Sequence, residues 1–327
     1  MHQSIRSKIV HGLDVGSIHL EEVVQELWSG YGSLCRYRVE GEKLSSIVVK
    51  QIDLNPQLTH PKGWNTAASH QRKTKSYEIE RQWYVHWAQR CDQFSRVPKL
   101  LLHLASDESL YLVLEDLDAK GYPLRLDQLT LNEVELTLSW LAHFHATFMG
   151  EHPNHLWKEG SYWHLNSRKE EWQTMAKGEL KANASNIDHQ LTATKYRTVI
   201  HGDAKLANFC FSSERDQIAA VDFQYVGGGC GMKDVAYFLS SAMDADALFA
   251  HDTELLECYF TTLASALKSR GKCLDFPELK SEWIRLYPFA WADFSRFLKG
   301  WSPEHRKLHP YSRSMVKKVL ATIEEDA

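Results

Sequence analysis

Two short stretches of the chain hold the residue types that phosphoryl transfer requires. His201-Gly202-Asp203-Ala204-Lys205-Leu206-Ala207-Asn208 is followed downstream by Val221-Asp222-Phe223-Gln224. Moving a phosphoryl group onto a hydroxyl needs a carboxylate to orient the hydroxyl and accept its proton, and oxygen ligands that hold Mg2+ on the nucleotide phosphates. Asp203, Asn208 and Asp222 supply those groups. Asn208 lies five positions after Asp203, and Asp222 fourteen after Asn208. The second interval fits a strand, a turn and a return strand, a hairpin that brings the two metal ligands together. An isolated H-G-D reads as a capped turn; the complete spaced set favours the chemistry.

The elements that must position these groups follow from the pattern. Glu21–Trp28, Leu34–Glu40 and Ser46–Ile52 carry β-branched and aromatic residues, with turns at Ser29-Gly30-Tyr31-Gly32 and Gly41-Glu42, and predict an antiparallel meander. Leu54–Ser76 is polar, with two prolines and Lys62, Arg72, Lys73 and Lys75, and reads as a mobile functional loop or lid. A helix is predicted from about Tyr77 to Arg90, and a buried strand over Leu110–Leu117, with a boundary between lobes near Asp118–Pro123. From Thr130 onward the pattern is helical. Thr130 and Glu133 have capping-box spacing, and Val134, Leu138, Leu141, His145 and Phe148 form one stripe. TVIHGD and IAAVDFQ flank a turn, and helices are predicted from Lys233 to Met243 and over most of the remainder. The fold class is therefore α+β and bilobed: a small β-sheet lobe with one main helix (1–117) and a large, mostly helical lobe (118–327).

The segment Asp203 to Asn208 with its preceding His-Gly resembles the H-G-D-x-x-x-x-N motif of the aminoglycoside phosphotransferase and choline kinase superfamily, which shares its fold with the protein kinases. Phe-Gln after Asp222 is most similar to the ecdysteroid kinase-like branch. The resemblance implies that Asp203 is the catalytic base, that Asn208 and Asp222 bind Mg2+, and that Lys205 stabilises charge on the transferring group. It also implies a lysine on the third strand paired with a glutamate on the next helix. Lys50 sits in the apolar run Val48-Val49-Lys50-Gln51, where an unpaired cation is costly; a phosphate and a carboxylate would pair it, and snorkelling at a strand edge is the alternative. For the carboxylate, Glu80 fits better than Glu78, because E-x-x-x-Y from Glu80 to Tyr84 resembles the branch's helix pattern and puts both residues on one face. Gly30 and Gly32 fall where the fold has its phosphate-covering loop, although Cys35 occupies the place of the third glycine and a hairpin turn explains them equally. Glu115 and Leu117 lie where backbone groups read the adenine edge. Asp234 resembles the aspartate that anchors the catalytic loop, and Phe144-His145-Ala146 a structural element of the family. Gly160-Ser161-Tyr162-Trp163 and Trp172 resemble features of the acceptor lobe.

Several alternatives fall on spacing or composition. Gly227-Gly228-Gly229-Cys230-Gly231 fails the dinucleotide fingerprint, because Met232 stands where a glycine is required, and reads as a permissive loop beside the site. No Walker A lysine motif is present. His143 and His145 lie two apart on a helix and point to different faces, so His145 reads as a core histidine with a hydrogen-bond partner. Leu286, Ala290, Asp293, Phe294, Phe297 and Trp301 recur at helical spacing; Asp293 among rings fits either an ammonium site or a buried salt bridge with Arg296 or Arg285. The 327 residues are 43% hydrophobic and 24% charged with a formal net charge of −4, which argues against a nucleic-acid partner. No apolar run is long enough for a membrane span. The six scattered cysteines and the absence of an apolar leader-like run predict free thiols and a cytoplasmic setting. The expected activity is ATP- and Mg2+-dependent phosphorylation of a small-molecule hydroxyl. The rivals are an antibiotic kinase for aminoglycosides or macrolides and a nucleotide-binding pseudokinase; a protein kinase is disfavoured because Gly227–Gly231 leads straight into a helix. The acceptor and the oligomeric state are not written in the sequence.

Overall fold

The computed structural model describes residues 1–27, 30–54 and 67–325. The N-terminal part is a five-stranded antiparallel sheet of β1 (Ser17–Glu26), β2 (Gly32–Glu40), β3 (Ser46–Asp53), β4 (Leu100–Ala105) and β5 (Ser109–Glu115), in spatial order β1-β2-β3-β5-β4. The two-residue period of a strand sets which face each side chain serves. On β3, Ile47 and Val49 join a cluster with Val39, Val113 and Ile9 of the helix α1 (Gln3–Leu13). Ile52, together with Leu112 and Leu114 of β5, faces the other way into the main core. Lys50 shares the parity of Ile52 and is therefore carried to the face that looks toward the rest of the molecule.

One long helix, α2 (Ala67–His86), joins the sheet to the helical part. Trp83, fully buried, stacks on Phe223 at 4.6 Å between ring centroids and meets Phe144 and Phe148 at 5.6 and 5.5 Å. This aromatic knot fixes α2 against α3 (Leu131–Thr147), whose N-terminus is closed by the Thr130–Glu133 capping box predicted from spacing. The C-terminal part continues through α4 (Lys169–Thr174), α5 (Glu179–Ala182), α6 (Ala184–Thr192), α7 (Met232–Ala242), α8 (Ala245–Ser269), α9 (Phe276–Trp301) and α10 (Pro310–Glu325). Two short two-stranded sheets lie among these helices: β6 (Thr198–Ile200) with β9 (Gly227–Gly229), and β7 (Phe209–Phe211) with β8 (Ile218–Ala220). The molecule is an α+β, bilobed, protein-kinase-like fold. Among the described residues no helix is long and apolar enough to cross a membrane.

Four expectations are corrected. The helix expected from Tyr77 begins at Ala67 and ends at His86, with a separate 3-10 turn over Ala88–Arg90. Arg72, Lys73 and Lys75 thus belong to a helix rather than a loop, while residues 55–66, Lys62 included, lie outside the described residues, as do residues 28–29 at the end of the expected first strand. Residues 67–76 carry no apolar stripe, so periodicity could not reveal their helix. Second, the TVI strand does not pair with IAAVDFQ; it pairs with Gly227–Gly229, so the glycine run read as a loop is a strand. Its glycines are needed for close packing, since a Cβ on Gly227 would stand 2.3 Å from the Trp157 carbonyl oxygen. Third and fourth, α1 and β4 were not foreseen: both are short, half-covered elements whose role is to close the sheet.

Trp83→Ala should remove the knot that fixes α2 and cost about 3–5 kcal/mol of unfolding free energy. Chemical denaturation followed by circular dichroism measures it; a loss under about 1 kcal/mol would mean that the stack does not hold the helix.

Candidate active site

The Asp203 loop is fixed by what lies behind it. Asp234, in the first turn of α7, accepts hydrogen bonds from the backbone N–H groups of His201 (2.6 Å) and Gly202 (2.9 Å). His145 meets the same carboxylate through Nε2 at 3.2 Å and the Tyr259 hydroxyl through Nδ1 at 2.7 Å, all fully buried. Gly202 has φ +77°, and a Cβ there would lie 2.0 Å from the Tyr225 carbonyl oxygen. No other residue fits this turn without displacing backbone. The Asp203 N–H donates to His201 Nδ1 (3.2 Å), so the ring proton sits on Nε2 and is donated to the Val221 carbonyl (3.0 Å). The histidine therefore ties the Asp203 loop to the strand end that carries Asp222.

Asp203, Lys205, Asn208 and Asp222 all line one cavity of about 710 Å3. Asn208 ends the 3-10 turn Leu206–Asn208, and its amide Nδ2 donates to the Asp203 backbone carbonyl (2.8 Å) and to Asp203 Oδ2 (3.3 Å). That geometry commits the amide hydrogens and leaves the amide oxygen, the metal-compatible atom, for other use. The hairpin β7–β8 returns the chain so that the Val221 N–H donates to the Asn208 carbonyl at 2.9 Å, bringing Asp222 next to Asn208. Asp222 itself has φ +68°, a left-handed conformation that Asp tolerates better than most residues and that commonly marks a functional turn.

From the sheet, Lys50 Nζ reaches both oxygens of Glu80 on α2, at 2.9 and 2.7 Å, and Asp222 Oδ1 at 3.3 Å. Lys50 and Glu80 are 5% and 1% exposed, which makes the pair a buried salt bridge rather than a snorkelling lysine. Glu78, the other candidate, pairs instead with Arg81 near the surface. Burial lowers the Lys50 pKa, yet Glu80 and Asp222 outweigh it and hold the ammonium above the ordinary range. Burial would raise Asp222, but Lys50, Lys205 and Lys73 hold its carboxyl well below the usual carboxylate range. Lys205 Nζ lies 3.0 Å from Asp203 Oδ2, and that carboxylate keeps it above the ordinary lysine range.

The remaining expected residues divide. Glu115 and Leu117 line the cavity where β5 ends, the Glu115 carboxylate being engaged by Arg96. Gly30 and Gly32 are not among the described residues lining it; Tyr31 between them is. Gly32 (φ +129°) answers to its own strand pairing, since a Cβ there would stand 2.1 Å from the Gln51 carbonyl oxygen. Asp293 is taken up by Arg296, whose Nε and Nη2 lie 2.9 and 2.7 Å from Oδ1, with both residues fully buried; the salt bridge, not the ammonium site, is realised. Two residues escaped the sequence reading. Gln224 donates to Asp222 Oδ1 (2.5 Å) and accepts from Lys73 Nζ (2.8 Å) and Ser76 Oγ (3.2 Å). Lys73, pulled down to about 8 chiefly by burial, is a third lysine at the site, after Lys50 and Lys205. The polar run around Lys73 gave no signal that it faces inward.

Among the described residues no three His, Cys, Asp or Glu side chains cluster as a metal cage. Mg2+ on a nucleotide asks for less: one or two protein oxygens with phosphate and water oxygens completing an octahedron. The Asn208 amide oxygen and the ionised Asp222 carboxylate fit that demand.

In sequence, the model of the ecdysteroid kinase-like family matches residues 65–172 and 165–272 of the chain. No curated protein matches. In structure, the chain is similar to a microcompartment-associated aminopropanol kinase, at TM-score 0.50 and 16% identity over 98% of this chain and 94% of that one. It is also similar to choline kinase from Cryptosporidium parvum Iowa II, at TM-score 0.53 and 11% identity over 94% and 89%. At these identities the likeness is one of fold.

Lys50→Met should lower stability at neutral pH by about 3–5 kcal/mol, because Glu80 is left buried and uncompensated. Burial is the main force raising the Glu80 pKa, and Lys50 opposes it. A carboxyl with a raised folded-state pKa stabilises below its unfolded value and loses that contribution as pH rises through the folded one. Urea unfolding at about pH 4.5 and about pH 7.5 should therefore show the smaller deficit in acid; equal deficits would clear Glu80 as the source.

Proposed function

The chain belongs to the ecdysteroid kinase-like family, and on that premise we propose that it is an ATP- and Mg2+-dependent kinase of a small-molecule hydroxyl. One observation carries the reading: Asp203, Asn208, Asp222 and Lys50 converge on a single cavity from three separate parts of the chain. Two solved structures similar in fold are by name an aminopropanol kinase and a choline kinase, in keeping with a small acceptor. Residues 1–117 serve as the nucleotide-binding lobe, and residues 118–327 carry the catalytic loop and the acceptor site, in a protein that works in the cytoplasm.

In this mechanism Lys50, held straight by Glu80, pairs with the α- and β-phosphates. The backbone at Glu115 and Leu117 borders the adenine, while Gly30 and Gly32 bend the turn that leads Tyr31 to the cavity. Asn208 and Asp222 would hold Mg2+, which would supply positive charge to the phosphate oxygens. Asp203 orients the acceptor hydroxyl and takes its proton as the new oxygen–phosphorus bond forms and the bond to the leaving diphosphate breaks. Lys205, protonated beside Asp203, offsets charge on the transferring group. Gln224 keeps the Asp222 carboxylate in register by donating to one of its oxygens.

Asp203→Asn should lower kcat by about 10²- to 10⁴-fold, the usual worth of a general base. Binding of a fluorescent ATP analogue should stay within about threefold of wild type, since the base contributes little to the nucleotide ground state. The acceptor for this assay comes from a mass-spectrometric screen of hydroxylated metabolites with ATP and Mg2+. A wild type that binds nucleotide yet phosphorylates nothing, indistinguishable from the variant, would make the protein a binding module instead.

A further inference from the structure

The end of the cavity away from Lys50 is lined by rings and cations. Tyr162, Tyr237, Phe294, Phe297 and Trp301 line it, with Phe297 stacked on Trp301 at 5.8 Å and Tyr162 edge-on to Phe297 at 5.4 Å. The turn between α9 and α10 adds Lys307, whose Nζ lies 4.5 Å from the Tyr237 ring centroid and 5.4 Å from that of Phe294. Its backbone N–H donates to His305 Nδ1 at 3.2 Å, which fixes the turn. Among the described residues no carboxylate forms an ion pair with Lys307.

The carboxylates that line the cavity are all accounted for. Glu80 and Asp222 hold Lys50, Glu115 holds Arg96, and Asp116 holds Arg36. Only Asp203 stands near the ring wall, already paired with Lys205. Asp293, an acid packed behind these rings, is sealed from solvent and engaged by Arg296, with Lys233 at 3.8 Å. Arg168, also at this end, lies 5.5 Å from the Phe297 ring centroid and is paired with Glu171 at 3.1 Å. A cationic acceptor would therefore meet Lys307, which among the described residues no carboxylate pairs, beside Lys205 and Arg168 in their ion pairs with Asp203 and Glu171.

We propose that the acceptor is an apolar hydroxylated molecule bearing an acidic group, with its body against Tyr237, Phe294, Phe297 and Trp301 and its acid on Lys307. This rests on the kinase reading in one respect, that Asp203 marks where the acceptor hydroxyl sits. It departs from the amino alcohols named for the structures similar in fold, whose charge has the opposite sign. Rings beside a partly desolvated ammonium suit an aromatic or polycyclic acid, for which stacking and charge pairing act together. Burial pulls Lys307 down to about 7; an acid seated beside Nζ reverses that pull.

The test uses two probes that differ by one sulfonate: 8-anilinonaphthalene-1-sulfonate and uncharged N-phenyl-1-naphthylamine. Binding to the full chain is read by probe fluorescence without nucleotide, so it does not depend on turnover. Lys307→Met should weaken the sulfonate by about tenfold, the scale of one charge-assisted contact, and leave the neutral probe within about twofold. Lys307→Arg should retain most of the sulfonate affinity, and a melting curve checks that both variants fold. Equal loss of both probes, or no loss of either, would overturn the proposal. So would a variant that keeps the sulfonate but loses a fluorescent ATP analogue, because the anion on Lys307 would then be the nucleotide's own phosphate. Phosphorylation assays stand apart: an inert protein that still discriminates the sulfonate through Lys307 refutes the kinase reading and keeps the anion site.

Discussion

The structure turns on a cation and an anion that can be buried only together. Lys50 comes from the sheet and Glu80 from α2, and neither has solvent to fall back on. Removing either leaves an uncompensated charge in a low-dielectric interior. The pair therefore sets the distance between sheet and helix, and because Lys50 also touches Asp222, it sets the position of the sheet relative to the β7–β8 hairpin. Trp83, one turn along α2 from Glu80, repeats the link in apolar terms by stacking on Phe223, the residue after Asp222. One helix thus relates the two halves through two kinds of contact, three residues apart.

The Asp203 loop is held from the opposite side. A turn at this depth exposes backbone N–H groups that water does not reach, and unsatisfied donors there are costly. Asp234 accepts two of them and is itself steadied by His145. His201 then spends each ring nitrogen on a different segment. The Asp203 carboxylate is itself met by Lys205 and Asn208, with the Tyr237 hydroxyl beside them. The contacts with Lys205 and Asn208 belong to the chemistry proposed for the ecdysteroid kinase-like chain, so support and function stay on separate groups.

The two ends of the cavity differ in how their charge is handled. Near Lys50, the acids are held by bases: Glu80 and Asp222 by Lys50, and Asp116 by Arg36. Near Trp301 the walls are aromatic and Lys307 has no carboxylate partner among the described residues. Gln224 and Lys73 lie between, linking α2 to Asp222 through a neutral amide.

The sequence by itself determined the chemistry-bearing spacing: His-Gly-Asp to Asn208 to Asp222, Lys50 on an apolar strand, the Glu80 face of a helix, and the Thr130 cap. Each is a local feature, fixed within one element by the period of that element or the length of one hairpin. It left open whether Lys50 snorkels, whether Asp293 binds a ligand, and what Gly30 and Gly32 do, and it misread residues 67–76 and the glycine run at 227–229. Those points depend on partners from distant segments: Glu80 and Asp222 for Lys50, Arg296 for Asp293, Gln224 for Lys73, Trp157 for Gly227. A polar helix turn looks like a loop until the surface it docks on is known. An acid on an apolar stripe looks like a site until its counter-ion is seen, because burial and pairing are properties of the assembled chain.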